Sequence, residues 1–244
     1  MIRSIISGGT VVDAHGLRVR GQEVSRVEAL SDAVFGFAIT LLVVSLDVPQ
    51  SFAELIALMS GFVAFGATFA QLLMIWYVHY NFFRRYGLQD FVTIVLNSVL
   101  LFVVVFYIYP LKFMFTLVFS GVLGVGSGPA PSVDATNGVA LMVFYSLSVV
   151  VVYGVFVLMH WHAMRVRDKL GLDALEVHLT RTATRYCLIW VLVGSLSIAL
   201  AWFGGIRWVP YAGMVYGLLG PLQAWNGMRG GRLAPVRTEP PVVT

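Results

Sequence analysis

The chain has 244 residues, of which 59% are hydrophobic and 11% are charged, and its formal net charge is +4. Soluble domains contain roughly 25% charged residues, so this composition excludes a water-soluble globular protein and predicts an integral membrane protein. The positive residues follow membrane topology, as shown below, so no nucleic-acid partner is expected. The single cysteine, Cys187, lies in an apolar segment and excludes an intrachain disulfide.

Residues 1–24 form a polar segment with charges throughout and without an apolar run long enough for a signal peptide. We expect a cytoplasmic N-terminal segment here, with the first apolar span serving as the insertion signal. At the other end, residues 227–244 are polar and rich in proline, and they predict a disordered cytoplasmic tail.

Between these ends the sequence predicts an all-α, polytopic membrane domain over residues 25–226. A helix needs about 20 mostly apolar residues to cross a bilayer. Six segments meet this requirement, at 27–48, 53–80, 91–119, 137–162, 183–204 and 207–226. The linker at 166–186 has helical spacing and mixed charge, and it predicts further helix outside the bilayer.

The distribution of basic residues predicts the orientation of these six spans. If the spans alternate in direction, 14 of the 16 basic residues lie on one side, and only Lys112 and Arg207 lie on the other. The positive-inside rule places the basic side in the cytoplasm. Both termini are then cytoplasmic, which requires an even number of spans.

The first apolar segment opens with polar and ionisable residues, in the stretch RVEALSDAVFGFAITLLVV that starts at residue 26. At about 100° per residue, Phe37, Leu41 and Val44 share one stripe of the helix, and Thr40 flanks it. Asp32 lies about 140° around the helix from Phe37. We therefore expect the apolar stripe to face an axis between subunits while Asp32 turns into its own subunit.

A carboxylate at this depth needs hydrogen-bond donors, because an unpaired charge in a membrane helix is costly. The second and third spans offer donors on Trp76, His79 and Asn97. Ser31 would cap the start of the helix. On position alone, the ionisable residues at 26, 28 and 32 are equally well explained as the solvated end of a helix.

The stretch resembles the signature of the transmembrane protein 175 family of potassium channels, in which an Arg-x-x-x-Phe-Ser-Asp motif opens the first span. Arg26, Ser31 and Asp32 match that motif, and Leu30 stands where Phe is usual. The resemblance continues in later spans, through Trp76, His79, Asn97 and Pro110. It is strong over 26–49 and 76–110, and beyond these residues only the number of spans fits.

The resemblance implies a potassium-selective cation channel, a homotetramer of six-span subunits with four first helices around the pore. It places the narrowest ring at Phe37, further apolar layers at Leu41 and Val44, and a hydroxyl layer at Thr40. It assigns a packing network to Arg26, Ser31, Asp32, Trp76, His79 and Asn97. The implied partners are further copies of the chain, membrane lipids and permeant potassium ions, in the plasma membrane of a prokaryote, and no cofactor is expected.

One residue departs from the family pattern with a physical consequence. The family usually places Ile or Leu at the ring position, where this chain has Phe37. Four phenyl rings would seal a pore more tightly, because hydrophobic constrictions gate by excluding water. We therefore expect low activity or an additional gating input.

Other chemistry has little support in the sequence. His160 and His162 are two residues apart on different helix faces, without Cys or carboxylate neighbours, so no metal site is expected. Arg181 and Arg185 share a helix face and are expected to snorkel or to meet lipid headgroups. No nucleophile elbow, HExxH motif or phosphate-binding glycine loop is present, so an enzyme is not expected.

Two functions other than a channel remain open at this stage. A secondary transporter or proton-coupled carrier would use Asp32 and His79 as a relay, although few other polar residues lie near the middle of the spans. A non-conducting assembly protein is the third possibility, because of the bulk of Phe37.

Overall fold

The computed structural model describes residues 6–7, 10–11, 18–21, 23–44, 48–122, 124 and 135–233. Within these ranges the chain is almost entirely helical, which confirms the predicted all-α class. The exception is a short antiparallel pairing between β1 (Ile6–Ser7) and β2 (Thr10–Val11). Much of the predicted N-terminal segment, and the last 11 residues of the predicted tail (234–244), lie outside the described residues.

The described part of the chain contains nine α-helices and three short segments of other helix types. The α-helices are α1 (Arg26–Val44), α2 (Phe52–Ser60), α3 (Phe62–Tyr86), α4 (Phe91–Thr116), α5 (Ala135–Arg165), α6 (Arg167–Leu170), α7 (Ala174–Gly204), α8 (Val209–Met214) and α9 (Leu219–Arg232). A π-helical turn extends α4 over Leu117–Val122. Two 3₁₀ turns, Ile206–Trp208 and Val215–Leu218, flank α8.

Five stretches are long and apolar enough to cross a membrane. They are Arg26–Val44, Phe62–Tyr86, Phe91–Gly121, Asn137–Arg165 and Ala174–Gly204. The protein is therefore a multi-pass membrane protein, and five of the six predicted spans correspond to long helices.

The second predicted span, 53–80, differs from the structure at both ends. The helix is interrupted at Gly61, which caps the end of α2 and the start of α3. There the Gly61 N–H donates a hydrogen bond to the Leu58 carbonyl at 3.0 Å. The spanning helix α3 then continues six residues beyond the predicted end, to Tyr86. Its last turn carries Arg84 and Arg85, which are stabilised at a helix C-terminus by the helix dipole.

The sixth predicted span, 207–226, is not a single long helix. It consists of a 3₁₀ turn, α8, a second 3₁₀ turn and α9 in unbroken succession. Pro210 lacks an N–H and sits in the first turn of α8, and glycines follow it, so a regular helix is disfavoured here. The tail boundary predicted at residue 227 is wrong, because α9 continues to Arg232 and the Asn226 side chain donates to the Thr182 carbonyl at 3.2 Å.

The predicted helical linker at 166–186 is mostly part of a spanning helix. Only α6 is separate from it, and α7 begins at Ala174, nine residues before the predicted start of the fifth span. A capping box fixes this start, in which Asp173 accepts from the Glu176 N–H at 2.8 Å while Glu176 accepts from the Asp173 N–H at 3.0 Å.

The helices pack into two neighbouring groups. The most extensive contact joins α5 and α7, where Gly194 permits close approach, since a Cβ there would lie 2.8 Å from the Val150 side chain. In the other group α1 packs against α3 and α4, and α4 also packs on α5. One core of buried apolar side chains runs through both groups, from Phe35 on α1 to Leu219 on α9.

Candidate functional site

Three buried polar side chains join α1, α3 and α4, and we call Ser31, His79 and Asn97 the polar clasp. His79 Nε2 donates to Asn97 Oδ1 at 2.9 Å, and Asn97 Nδ2 donates to Ser31 Oγ at 2.9 Å. The Ser31 hydroxyl in turn donates to the Val27 carbonyl at 2.7 Å. All three side chains are at most 2% exposed. This single directed chain of hydrogen bonds fixes how α1 is rotated against its two neighbours.

The clasp lies in apolar surroundings. The His79 ring lies between Phe35 and Phe83, with ring-centre distances of 5.7 and 4.6 Å. His79 Nδ1 is buried and has no hydrogen-bond partner among the described residues. His79 is fully buried, so its hydrogen bond to Asn97 is the main polar contact that orients the imidazole.

Asp32 forms a separate contact beside the clasp. Its carboxylate accepts from Trp76 Nε1 at 2.8 Å, while the Asp32 side chain stays exposed in the isolated protomer. Of the three donors predicted for this carboxylate, only Trp76 reaches it. His79 and Asn97 bind each other and Ser31 instead.

The start of α1 differs from the predicted arrangement at two residues. Ser25, not Ser31, caps the helix, since its hydroxyl accepts from the Glu28 N–H at 3.1 Å and the Glu28 carboxylate lies 3.4 Å from the Ser25 N–H. This is a capping box, and the spacing Ser-x-x-Glu at 25–28 signals it in the sequence. Arg26 is exposed and forms no hydrogen bond or ion pair within the described ranges, so it does not join the network with the other motif residues.

The opposite face of α1 has no neighbour among the described residues of the protomer. We define the open face of α1 as Leu30, Ala33, Phe37, Thr40 and Val44, all exposed in the isolated chain. Phe37 and Val44 are 59% and 71% exposed, whereas Phe35, Ala38 and Leu42 on the other side are buried. The face is apolar apart from one hydroxyl, and therefore suits contact with copies of the same face around an axis.

Two predicted pore residues sit differently on this face. Leu41 is half-buried and packs against the core, so it lies at the edge of the open face and not at its centre. Thr40 is central, and its hydroxyl donates to the Gly36 carbonyl at 2.9 Å. Because this bond uses only the hydroxyl hydrogen, the exposed Thr40 oxygen keeps its capacity to accept.

One apolar groove of about 940 Å³ lies between α5 and α7, and a second groove of about 670 Å³ adjoins α1 on α4. The second groove is lined by Val34, Leu101, Phe102, Val105, Phe106, Tyr109 and Pro110. Phe102 and Phe106 are 73% and 58% exposed. Large exposed aromatic side chains next to the open face extend the surface that another copy of the chain would cover.

The two histidines near the end of α5 have structural contacts. The buried His160 donates from Nδ1 to the Phe156 carbonyl at 2.8 Å, and His162 Nε2 lies 2.6 Å from Asp90 at the start of α4. Burial alone would raise the pKa of Asp90, but hydrogen bonds from Thr93 and His162 hold it below its usual value. Within the described ranges there is no group of three metal-binding side chains.

A charged contact that the sequence analysis missed lies at the end of α3, and we call it the N-terminal junction. Arg20 donates to both carboxylate oxygens of Glu176 at 2.9 Å, and to the Leu170 carbonyl at 3.0 Å. Beside it, the Gly21 N–H donates to the Arg84 carbonyl at 3.2 Å. A Cβ at Gly21 would lie 2.6 Å from the Phe83 carbonyl oxygen, so only glycine fits there. Because Arg20 and Glu176 are 156 positions apart, no local sequence pattern predicts that they meet.

Comparisons with known proteins point to one family. Residues 26–107 match the family described as "Endosomal/lysosomal potassium channel TMEM175". A protein of Marivirga tractuosa named "Potassium channel" is 37% identical over 212 residues, which cover 83% of this chain and 86% of that protein. A potassium channel of Chamaesiphon minutus is 35% identical over 96 residues, which cover 36% of this chain and 47% of that protein.

Solved structures have the same architecture. A crystal structure of a variant of the potassium channel MtTMEM175, in complex with a nanobody–MBP fusion, matches with a TM-score of 0.79 and 34% identity, over 91% of this chain and 100% of that one. A lysosomal potassium-selective channel TMEM175 homolog from Chamaesiphon minutus matches with a TM-score of 0.53 and 23% identity, over 84% of this chain and 96% of that one, a likeness of fold alone.

Proposed function

The chain belongs to the TMEM175 family of potassium channels, and we propose that four copies form a potassium-preferring channel whose pore is lined by the open face of α1. The observation that carries this proposal is the division of α1 into two faces. One face is bound inside the protomer, and the other is apolar and has no neighbour in the part of the chain that the structure describes. One α1 cannot enclose a pore, so several copies must meet on that face. The four-fold number is taken from the family resemblance.

The constriction we propose is hydrophobic. Phe37 forms the narrowest ring, Val44 a second apolar layer, and Thr40 the hydroxyl layer between them, with Leu41 at the margin of the pore. None of these side chains is charged, so an ion binds weakly and leaves readily, while the cost of removing its water limits entry. The grouping is supported by the exposure of Phe37, Thr40 and Val44 on one side of the helix.

We assign residues 206–232 as a sixth span despite its broken helix geometry. Irregular backbone is tolerated in a membrane where neighbouring helices satisfy it. One contact of this kind is present, since the Ser197 hydroxyl of α7 donates to the Ala212 carbonyl at 2.8 Å. The Gln223 side-chain amide of α9 also donates to the Tyr186 carbonyl of α7 at 3.0 Å, which ties the two helices together. With six spans, the basic side and both termini face the cytoplasm of a prokaryotic cell, across its plasma membrane.

A carrier that uses Asp32 and His79 as a relay has less support. Asp32 is bonded to Trp76, and His79 to Asn97, with no hydrogen bond between the two proposed relay groups. The polar clasp instead forms a fixed link between helices.

Potassium efflux from proteoliposomes tests the proposal. We expect efflux that runs down to the potassium diffusion potential and needs neither a proton gradient nor a second ion. Phe37→Ala should raise the flux about tenfold, equivalent to a barrier lower by about 1.4 kcal/mol, while Leu192→Ala, at an exposed residue of α7, should leave it unchanged. Flux that strictly requires protons would favour the carrier, and equal flux in both variants would remove Phe37 from the constriction.

A further inference from the structure

The groove between α5 and α7 combines an apolar floor with arginines at its rim. It has a volume of about 940 Å³, at the upper end of the range for ligand pockets. Its apolar walls are formed by Val157, Leu158, Trp161, Met164, Leu188 and Leu233. His178, Arg181, Thr184 and Arg185 line the rest. The groove lies where two membrane spans end in basic residues, which is the depth of lipid headgroups.

The arginines around this groove have N–H groups that form no hydrogen bond within the described residues. Arg181 and Arg185 lie one turn apart on α7, and Arg181 is exposed. Arg185 donates to the Arg181 carbonyl at 3.3 Å and to Thr182 Oγ1 at 3.1 Å, which uses two of its five N–H groups. On α5, the Arg165 guanidinium lies 4.9 Å from the centre of the Trp161 ring.

No carboxylate of the described part of the chain neutralises these three arginines. The ion pairs present there are Arg20–Glu176, His162–Asp90 and Arg167–Asp168. The nearest acid along α7, Glu176, is held by Arg20. Among the described residues, Arg181 and Arg185, which line the groove, and Arg165, which lies beside it on Trp161, therefore have no acidic partner. This arrangement is complementary to an amphiphile with an anionic head.

We propose that the groove binds an anionic phospholipid, with its phosphate between Arg181 and Arg185 and an acyl chain along Leu158 and Leu188. Guanidinium groups bind phosphate through paired N–H donors, and basic pockets between membrane helices hold anionic headgroups. Trp161 closes the headgroup end, where its amphipathic ring is stable at the interface. The site lies on the α5–α7 side of the subunit and does not include the open face of α1.

Native mass spectrometry of the full chain, released from nanodiscs of phosphatidylcholine with phosphatidylglycerol, tests this proposal. We expect retained phosphatidylglycerol, and about fivefold weaker retention for each arginine removed, in Arg181→Gln and in Arg185→Gln. Arg167→Gln, an exposed arginine outside the groove, is the matched control and should retain lipid as the wild type does. Leu158→Gln should also reduce retention if an acyl chain occupies the groove.

Three outcomes would overturn the proposal. Equal retention of phosphatidylglycerol in Arg181→Gln, Arg185→Gln and the control would mean that the arginines only snorkel. If inorganic phosphate displaced phosphatidylglycerol as effectively as added phosphatidylglycerol does, the groove would bind a free anion and not a lipid. A change in the number of subunits in the double arginine variant would identify the groove as a contact between copies of the chain.

Discussion

The polar clasp and the N-terminal junction both hold helices together, but with different chemistry. The clasp lies among three spans and uses neutral side chains, Ser31, His79 and Asn97, in one chain of hydrogen bonds. The junction lies at helix ends and uses a bidentate ion pair between Arg20 and Glu176. Charge is costly inside the bilayer and acceptable at its edge, so depth decides which chemistry each site uses.

The two sites also differ in what depends on them. The clasp sets the rotation of α1 and therefore the direction of its open face. The junction ties the segment before α1 to α7, and it does not touch that face. Breaking the clasp should therefore change both stability and permeation, whereas breaking the junction should change stability alone.

The largest effect is expected from Arg20→Gln. It leaves the Glu176 carboxylate, which is 5% exposed, without its cation, and we expect a loss of about 3 kcal/mol in the free energy of unfolding. Denaturant unfolding in detergent measures this loss, with Arg232→Gln, an exposed arginine of α9, as the control. The double variant Arg20→Gln with Glu176→Gln should recover part of the loss, and no recovery would argue against an ion-pair origin.

A smaller loss of stability but a larger change in flux is expected from Asn97→Leu. Two hydrogen bonds between helices are lost, which is worth about 1.5 kcal/mol in a membrane. Because α1 is then free to rotate, potassium flux per folded channel should also change. The neighbouring Ser98→Ala, whose exposed hydroxyl bonds only to its own helix, should change neither quantity. Unaltered flux in a folded Asn97→Leu protein would separate the clasp from the pore.

The smallest effect is expected from Trp76→Phe. It keeps an aromatic ring but removes the donor to Asp32, at a cost of about 0.6 kcal/mol because one interhelical hydrogen bond is lost. Trp225→Phe, at an exposed tryptophan on α9, should lower the free energy of unfolding by less than Trp76→Phe does. Equal unfolding midpoints for the two variants would show that the Asp32 contact adds no stability.

The contrast between the two sites also explains what could be predicted from the sequence. Apolar runs identified most of the spans, and helical periodicity separated Asp32 from the apolar stripe that contains Phe37. The grouping of Ser31, His79 and Asn97 came from the family resemblance. The sequence does not show which donor meets which acceptor, because Trp76 and His79 lie about one turn apart on the same helix and either could face Asp32. Side-chain packing decides between them. Arg20 and Glu176 meet only through the tertiary fold.

The position of Leu41 is instructive in the same way. A helical wheel places it beside Phe37, but the wheel does not say where the neighbouring helices lie. The packing of α3 and α4 covers one edge of the stripe and leaves the other open, so the open face is centred between Phe37 and Thr40. Similarly, apolar composition predicts a sixth span at 207–226, but it does not show that the helix is interrupted around Pro210 or that α7 bonds to the backbone there.

The most direct test of the central claim is thiol accessibility along α1 during potassium flux. In a Cys187→Ser background, single cysteines are introduced as Thr40→Cys and Val44→Cys on the open face and as Ala38→Cys on the buried face, and a cationic thiol reagent is applied. If the open faces of several copies surround the ions, modification at residues 40 and 44 blocks the flux and modification at residue 38 does not. Flux that continues after complete modification of residues 40 and 44 would contradict the account.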